Sequence, residues 1–166
     1  MYTCADRKRQ SGYEYHGGWK ENARDGKEGK CFYYNEEFYI GDWQYDQRHG
    51  QGDHFYKYEE RYIGDWRYDM RHGKGTFISN GQSGSSSSGG GGHHHYEGRF
   101  KEDLRHGRGI LKVTQNYQRY STKQKEVKIY EQEWRTGKLV YQKKVHTVHG
   151  EDKIKNLMLN NEFIRY

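Results

Sequence analysis

The chain has 166 residues, of which 17 are tyrosine and 22 glycine; proline is absent and aliphatic residues are scarce. That excludes a deep aliphatic globule: any core must be built from aromatic rings, each of which hides roughly 150–250 Å² and keeps a polar edge in water. Its 29 basic and 23 acidic side chains, net +6, are interleaved along most of the chain, which argues against a nucleic-acid binder with its Lys and Arg gathered on one face.

Residues 1–12 read as a polar tail, with a basic run "DRKRQ" at 6–10 that, like "YQKKVH" at 141–146, is a candidate contact for an acidic partner. The tail is too polar for a signal peptide, and no apolar run approaches the ~18 residues that a membrane span requires. Cys4 and Cys31 lack metal-ligand spacing and read as reduced, intracellular thiols. A soluble protein of the cytoplasm, or one attached to something there, is expected.

From residue 13 the chain repeats itself. "YIGDWQYDQRHGQG" at 39–52 returns as "YIGDWRYDMRHGKG" at 62–75. Tyr15, Tyr39, Tyr62 and Tyr96 each open a unit with a glycine two residues on (Gly17, Gly41, Gly64, Gly98) and an aromatic four on (Trp19, Trp43, Trp66, Phe100). Eleven residues after the tyrosine comes a second glycine (Gly26, Gly50, Gly73, Gly107), then a further one (Gly29, Gly52, Gly75, Gly109). A fifth, worn unit at Tyr130 keeps Trp134 but has Gln132 in place of the glycine; worn ends are what a stacked array needs.

Alternate residues of a strand share a face, so Tyr39, Gly41 and Trp43 line one side and Ile40 and Asp42 the other. A glycine between two rings leaves room for a neighbouring ring or backbone to lie against the strand. The polar stretch that follows reads as a turn, with these glycines at structural turns and close approaches, and each unit is predicted to be a β-hairpin. A helix would bury several glycines at about 1 kcal/mol each and would need a period of 3.6. The glycine-, serine- and histidine-rich stretch within 81–95 reads as a flexible insert between the third and fourth units.

Y-x-G-x-W followed by H-G-x-G at a 23-residue step resembles the MORN repeat (membrane occupation and recognition nexus) over residues 13–141. The resemblance implies an all-β fold: an elongated, curved, single-layer antiparallel sheet of stacked hairpins with an aromatic-lined groove. It also implies a non-catalytic scaffold of cilia, the cortical cytoskeleton or membrane contacts. The sequence departs from the pattern at Arg24-Asp25-Gly26, where other units have Arg-His-Gly, and in the fifth unit.

The expected groove is lined by Tyr15, Trp19, Tyr39, Trp43, Tyr62, Trp66, Tyr96, Phe100, Tyr130 and Trp134, and its expected occupant is a helix or peptide of a larger, ciliary axonemal assembly. Anionic phospholipid is the alternative, with acidic Asp42, Asp65 and Glu59-Glu60 interrupting the positive charge that it would need. Histidines one repeat apart stand roughly 10 Å from each other, too far to share a metal. Nucleophile–base and phosphate-loop patterns are missing. No enzyme activity, metal or cofactor is expected.

Residues 142–166 are expected to cap the array. Ile154, Leu157 and Met158 fall at i, i+3, i+4 behind Glu151-Asp152, predicting a short amphipathic helix over 151–163 that covers the last strand edge or serves a homodimer or partner contact.

Overall fold

The computed structural model describes residues 13–80, 92–119 and 122–150. Their period-two alternation resolves into strands β1 (Tyr13–His16), β2 (Trp19–Lys20), β3 (Ala23–Arg24), β4 (Gly26–Tyr33), β5 (Phe38–Gln44), β6 (Gln47–Phe55), β7 (Arg61–Arg67), β8 (Met70–Ser79), β9 (His93–Lys101), β10 (Leu104–Arg119), β11 (Thr122–Arg135) and β12 (Lys138–His149). Ten of them form one open sheet in the order β1-β4-β5-β6-β7-β8-β9-β10-β11-β12. Every adjacent pair is antiparallel. The fold is the all-β stack of hairpins that the repeat pattern implies.

The turn chemistry explains the hairpins. The two-residue reversals Glu21-Asn22, Tyr45-Asp46, Tyr68-Asp69, Glu102-Asp103 and Thr136-Gly137 have positive φ at both positions, between 46° and 76°. This is the type I′ geometry, whose twist matches that of paired strands. The glycines expected at structural turns therefore are not there: Gly26, Gly41, Gly50, Gly52, Gly64, Gly73, Gly75, Gly98, Gly107 and Gly109 lie within strands, and Gly17 falls at the break between β1 and β2. The Arg-His-Gly triplets likewise sit just inside β6, β8 and β10.

These glycines do two things, a bulge and the close approach of a ring that a glycine between two aromatics was expected to allow. Gly50, at φ +59°, makes a bulge: Gly41 pairs with Gly52, yet Asp42 pairs with His49. The Asp42 carboxylate accepts the Gln51 N–H there at 3.4 Å, and Asp65 accepts the Lys74 N–H at 2.7 Å in the next unit. Gly41 and Gly52 form a bare floor for a ring, since a Cβ on Gly52 would come within 2.1 Å of Tyr39 Oη.

Three boundaries move. The insert expected over 81–95 is too long by its last residues, because strand β9 begins at His93 and His94 is buried against the sheet. The array runs past residue 141, through β12 to His149. In the first unit the chain breaks after β1, and Trp19 goes to a separate two-stranded hairpin, β2–β3. The extra residues between Tyr96 and Tyr130 lengthen β10 and β11, which pair continuously from Gly107–Trp134 to Arg119–Thr122. The tail 1–12 and the helix expected over 151–163 lie outside the described residues.

Candidate functional site

One face of the sheet carries a continuous chain of rings. Each tyrosine meets its own unit's aromatic and the next unit's, edge to face. Tyr15 stands 5.3 Å from Trp19 and 5.4 Å from Trp43; Tyr39 stands 5.3 Å from Trp43 and 5.4 Å from Trp66. Tyr62 stands 5.2 Å from Trp66 and 5.0 Å from Phe100; Tyr96 stands 5.5 Å from Phe100 and 6.4 Å from Trp134. Such pairs contribute about 0.5–1.5 kcal/mol each beyond burial. The hydroxyls of Tyr15, Tyr39 and Tyr62 donate to the carbonyls of Gly18, Asp42 and Asp65 at 3.0–3.1 Å. Burial pushes the Tyr39 and Tyr62 phenols well above their ordinary range and Tyr96 up to about 12, so all three stay neutral.

These are the residues expected to line a groove, and most are not surface. Tyr39, Tyr62 and Tyr96 have no exposed area, and Tyr15, Trp43, Trp66 and Phe100 are buried. Tyr130 and Trp134 are half-buried, while Trp19 is the one exposed member, at 37 %. A ring lying over two glycines fills the space that those glycines leave. The row is a core.

That arginines cover it was not read from the sequence. Arg24, Arg48, Arg71 and Arg105 lie nine residues after the four unit tyrosines and lay their guanidinium groups on the rings. Arg24 is 4.0 Å from Trp43, Arg48 4.3 Å from Trp66, Arg71 5.5 Å from Phe100 and Arg105 4.2 Å from Tyr96. Arg24, Arg48 and Arg71 also pair with the turn aspartate of the following unit: Asp46 at 3.1 Å, Asp69 at 3.0 Å and Asp103 at 3.1 Å. The same carboxylates accept the backbone N–H of their arginines. The constant offsets, arginine nine after a tyrosine and aspartate seven after the next, were the available signal.

Above Trp43 the face opens into a cleft of about 690 Å³, lined by Arg24, Tyr33, Tyr34, Asn35, Glu37, Arg48, His54 and Asp69. His54 is buried, stacks on Tyr56 at 4.0 Å, and takes a hydrogen bond on Nδ1 from Arg48 Nη1 at 2.8 Å. That bond requires a bare Nδ1, so the ring proton sits on Nε2, which is 3.4 Å from Glu37. Burial, followed by the charges of Arg48 and Arg71, pushes His54 down to about 3. The Arg48 donor leaves no place for a second proton and the imidazole is neutral. Among the described residues, no three His, Cys, Asp or Glu side chains group as metal ligands.

A sheet of stacked hairpins with one ring-and-arginine unit per repeat defines a repeat scaffold, a class that presents a continuous binding surface. The MORN repeat model matches residues 15–35, 39–56, 62–83 and 96–112, and the chain belongs to the MORN repeat family. Such repeats occur in scaffolds that bind proteins or membranes. No individual curated protein matches the chain.

Proposed function

We propose that the protein is a non-catalytic scaffold that holds a helix or extended peptide of a larger cytoskeletal assembly, gripping it at the cleft above Trp43. The carrying observation is that cleft, whose walls combine rings (Tyr33, Tyr34) with the polar side chains of Asn35 and Glu37, beside the aspartate-paired Arg24 and Arg48. Rings offer apolar anchors and polar side chains fix register, the combination that recognises a polypeptide segment. Resemblance to MORN scaffolds makes an axonemal, ciliary complex the first place to look for the partner. A photo-crosslinking residue at exposed Tyr34 is expected to capture a defined partner segment, and one at Ile63, on the opposite face, is not. Equal capture from both positions, or from Ile63 alone, overturns the assignment of the face.

The second reading, anionic phospholipid, draws support from exposed Val140, Tyr141 and Val145 beside Lys143 and Lys144 on β12. It draws none from Arg24, Arg48 and Arg71, whose charges are met by aspartates. Co-sedimentation with phosphatidylserine vesicles at physiological salt, abolished by charge reversal of Lys143 and Lys144, would reverse the order of the two readings.

A further inference from the structure

We propose that Arg105 is a receptor for a carboxylate brought by a partner polypeptide, an acidic side chain that takes the place held in the other units by the chain's own turn aspartate. The argument is one of register. Arg24, Arg48 and Arg71 each meet the aspartate at the second turn position of the next hairpin, Asp46, Asp69 and Asp103. For Arg105 the next hairpin turns at Thr136-Gly137, and the aspartate position is Gly137. The backbone frame is conserved all the same: Gly137 N donates to Arg105 O at 2.9 Å, as Asp46, Asp69 and Asp103 donate to the carbonyls of their arginines at 3.0–3.1 Å. The cradle is thus built and only its carboxylate is missing.

The guanidinium lies on Tyr96 at 4.2 Å and on Trp134 at 5.1 Å, and among the described residues no carboxylate bonds to it. Burial and the nearby Arg71 charge pull Arg105 below its ordinary range, which marks a cation held without a counter-charge. The groups flanking the turn deepen the imbalance: Arg135 and Lys138 are exposed and basic, and His106 already accepts the Thr136 N–H on Nδ1 at 3.3 Å. Exposed Leu104 and Leu139 border the same turn, so an acidic residue beside an apolar one suits the place. The last described residue, Gly150, lies at the far end of β11 from this turn. Gly150 N donates to Lys125 O, ten residues of β11 from Arg135, or roughly 33 Å along the strand. This site is separate from the cleft above Trp43 and stands or falls independently of it.

The test fills the vacancy in the full chain. Gly137 has φ +76° and the aspartates of the sister turns have 64–66°, so aspartate suits its backbone; the nearest neighbour of a new Cβ is the exposed Leu104 Cδ2 at 3.2 Å. Gly137→Asp is expected to raise the melting temperature by about 2–4 °C, and to do so only while Arg105 is present, not in an Arg105→Gln background. In the wild-type chain a capped tetra-aspartate peptide is expected to shift the Arg105 Nε–H resonance saturably, where tetra-asparagine does not. Gly137→Asp should weaken that binding at least about tenfold and Gly137→Asn should leave it intact. An Arg105 resonance indifferent to the peptide, a response that persists in Gly137→Asp, or equal stabilisation with and without Arg105 would each overturn the proposal.

Discussion

Replacing Gly52 with alanine isolates the contact on which the ring row depends. A Cβ there would meet Tyr39 Oη at 2.1 Å, Cε2 at 2.4 Å and Cζ at 2.5 Å, where carbon contacts settle near 3.5–4.0 Å. The ring has to move by more than about 1 Å, and it is boxed in by Trp43 and Trp66 and tied to Asp42 O at 3.1 Å. Overpacking costs about 3 kcal/mol at the tight end of its range, and losing the phenol hydrogen bond costs about 1 kcal/mol. Alanine's smaller entropy loss on folding returns about 1 kcal/mol. The net expectation is a destabilisation of about 3 kcal/mol, read as a shift of the urea midpoint in the intact chain. In a Tyr39→Leu background, which removes the three clashing atoms, the same substitution should cost almost nothing. Gly107→Ala is the contrast: its Cβ would meet only Arg99 Cδ, at 3.7 Å, so the left-handed backbone at φ +65° alone sets a cost of about 1–2 kcal/mol. A Gly52→Ala effect within about 0.5 kcal/mol of zero, or one unchanged by Tyr39→Leu, would refute the packing argument.

Burial separates the middle of the ring row from its first member: Trp66→Ala should cost about 3–5 kcal/mol and the exposed Trp19→Ala about 1 kcal/mol or less, by the same denaturation assay. Asp69→Asn, which keeps an acceptor for the Arg48 N–H, should cost under about 1 kcal/mol, the pair being partly solvated; Asp69→Ala, which adds left-handed strain to the lost cap, should cost about 2 kcal/mol. Stability should fall with pH on the acid side. His54 takes a proton near 6.5 when unfolded and only near 3 when folded, so its contribution is complete above about pH 6.5 and declines as pH drops toward 3. At pH 5 the loss is about 2 kcal/mol, and His94 and His95, also lowered by burial, act in the same direction. His54→Phe, which copies Phe77 at the matching position of the next unit, should flatten most of the slope of melting temperature between pH 7.5 and 5; an unchanged slope would contradict the neutral, arginine-bonded imidazole.

The hairpin stack was legible because its signal is strictly periodic. Tyr39, Gly41 and Trp43 alternate at period two, and that spacing has one structural solution. The exact reversals were not legible, because "QYDQRHG" offers several polar turn candidates and only the backbone shows that Tyr45-Asp46 takes positive φ while Arg48 and His49 return to the strand. His93, His94 and His95 were read with the insert because the run before them is glycine and serine; pairing of β9 with β8 and β10, which takes in His94 and His95 on both sides, overrides composition there.

The stacking of the arginines on the rings was the larger omission, and it changes what the face can do. A tyrosine with no exposed area whose hydroxyl already donates to Asp65 O, as in Tyr62, cannot anchor a partner without leaving the core. What a partner meets is the next layer out: Arg24, Arg48 and Arg71, each stacked on a ring and neutralised by an aspartate. A ligand that competed for these guanidinium groups would have to displace a carboxylate bonded at both side chain and backbone, so recognition falls to places where the repeat is interrupted. One is the cleft beside His54, where imidazole stands at a position that is apolar in the third and fourth units, Phe77 and Leu111. The other is Arg105, where Gly137 leaves the carboxylate out. In a scaffold whose regular positions satisfy one another, specificity resides in its irregular ones.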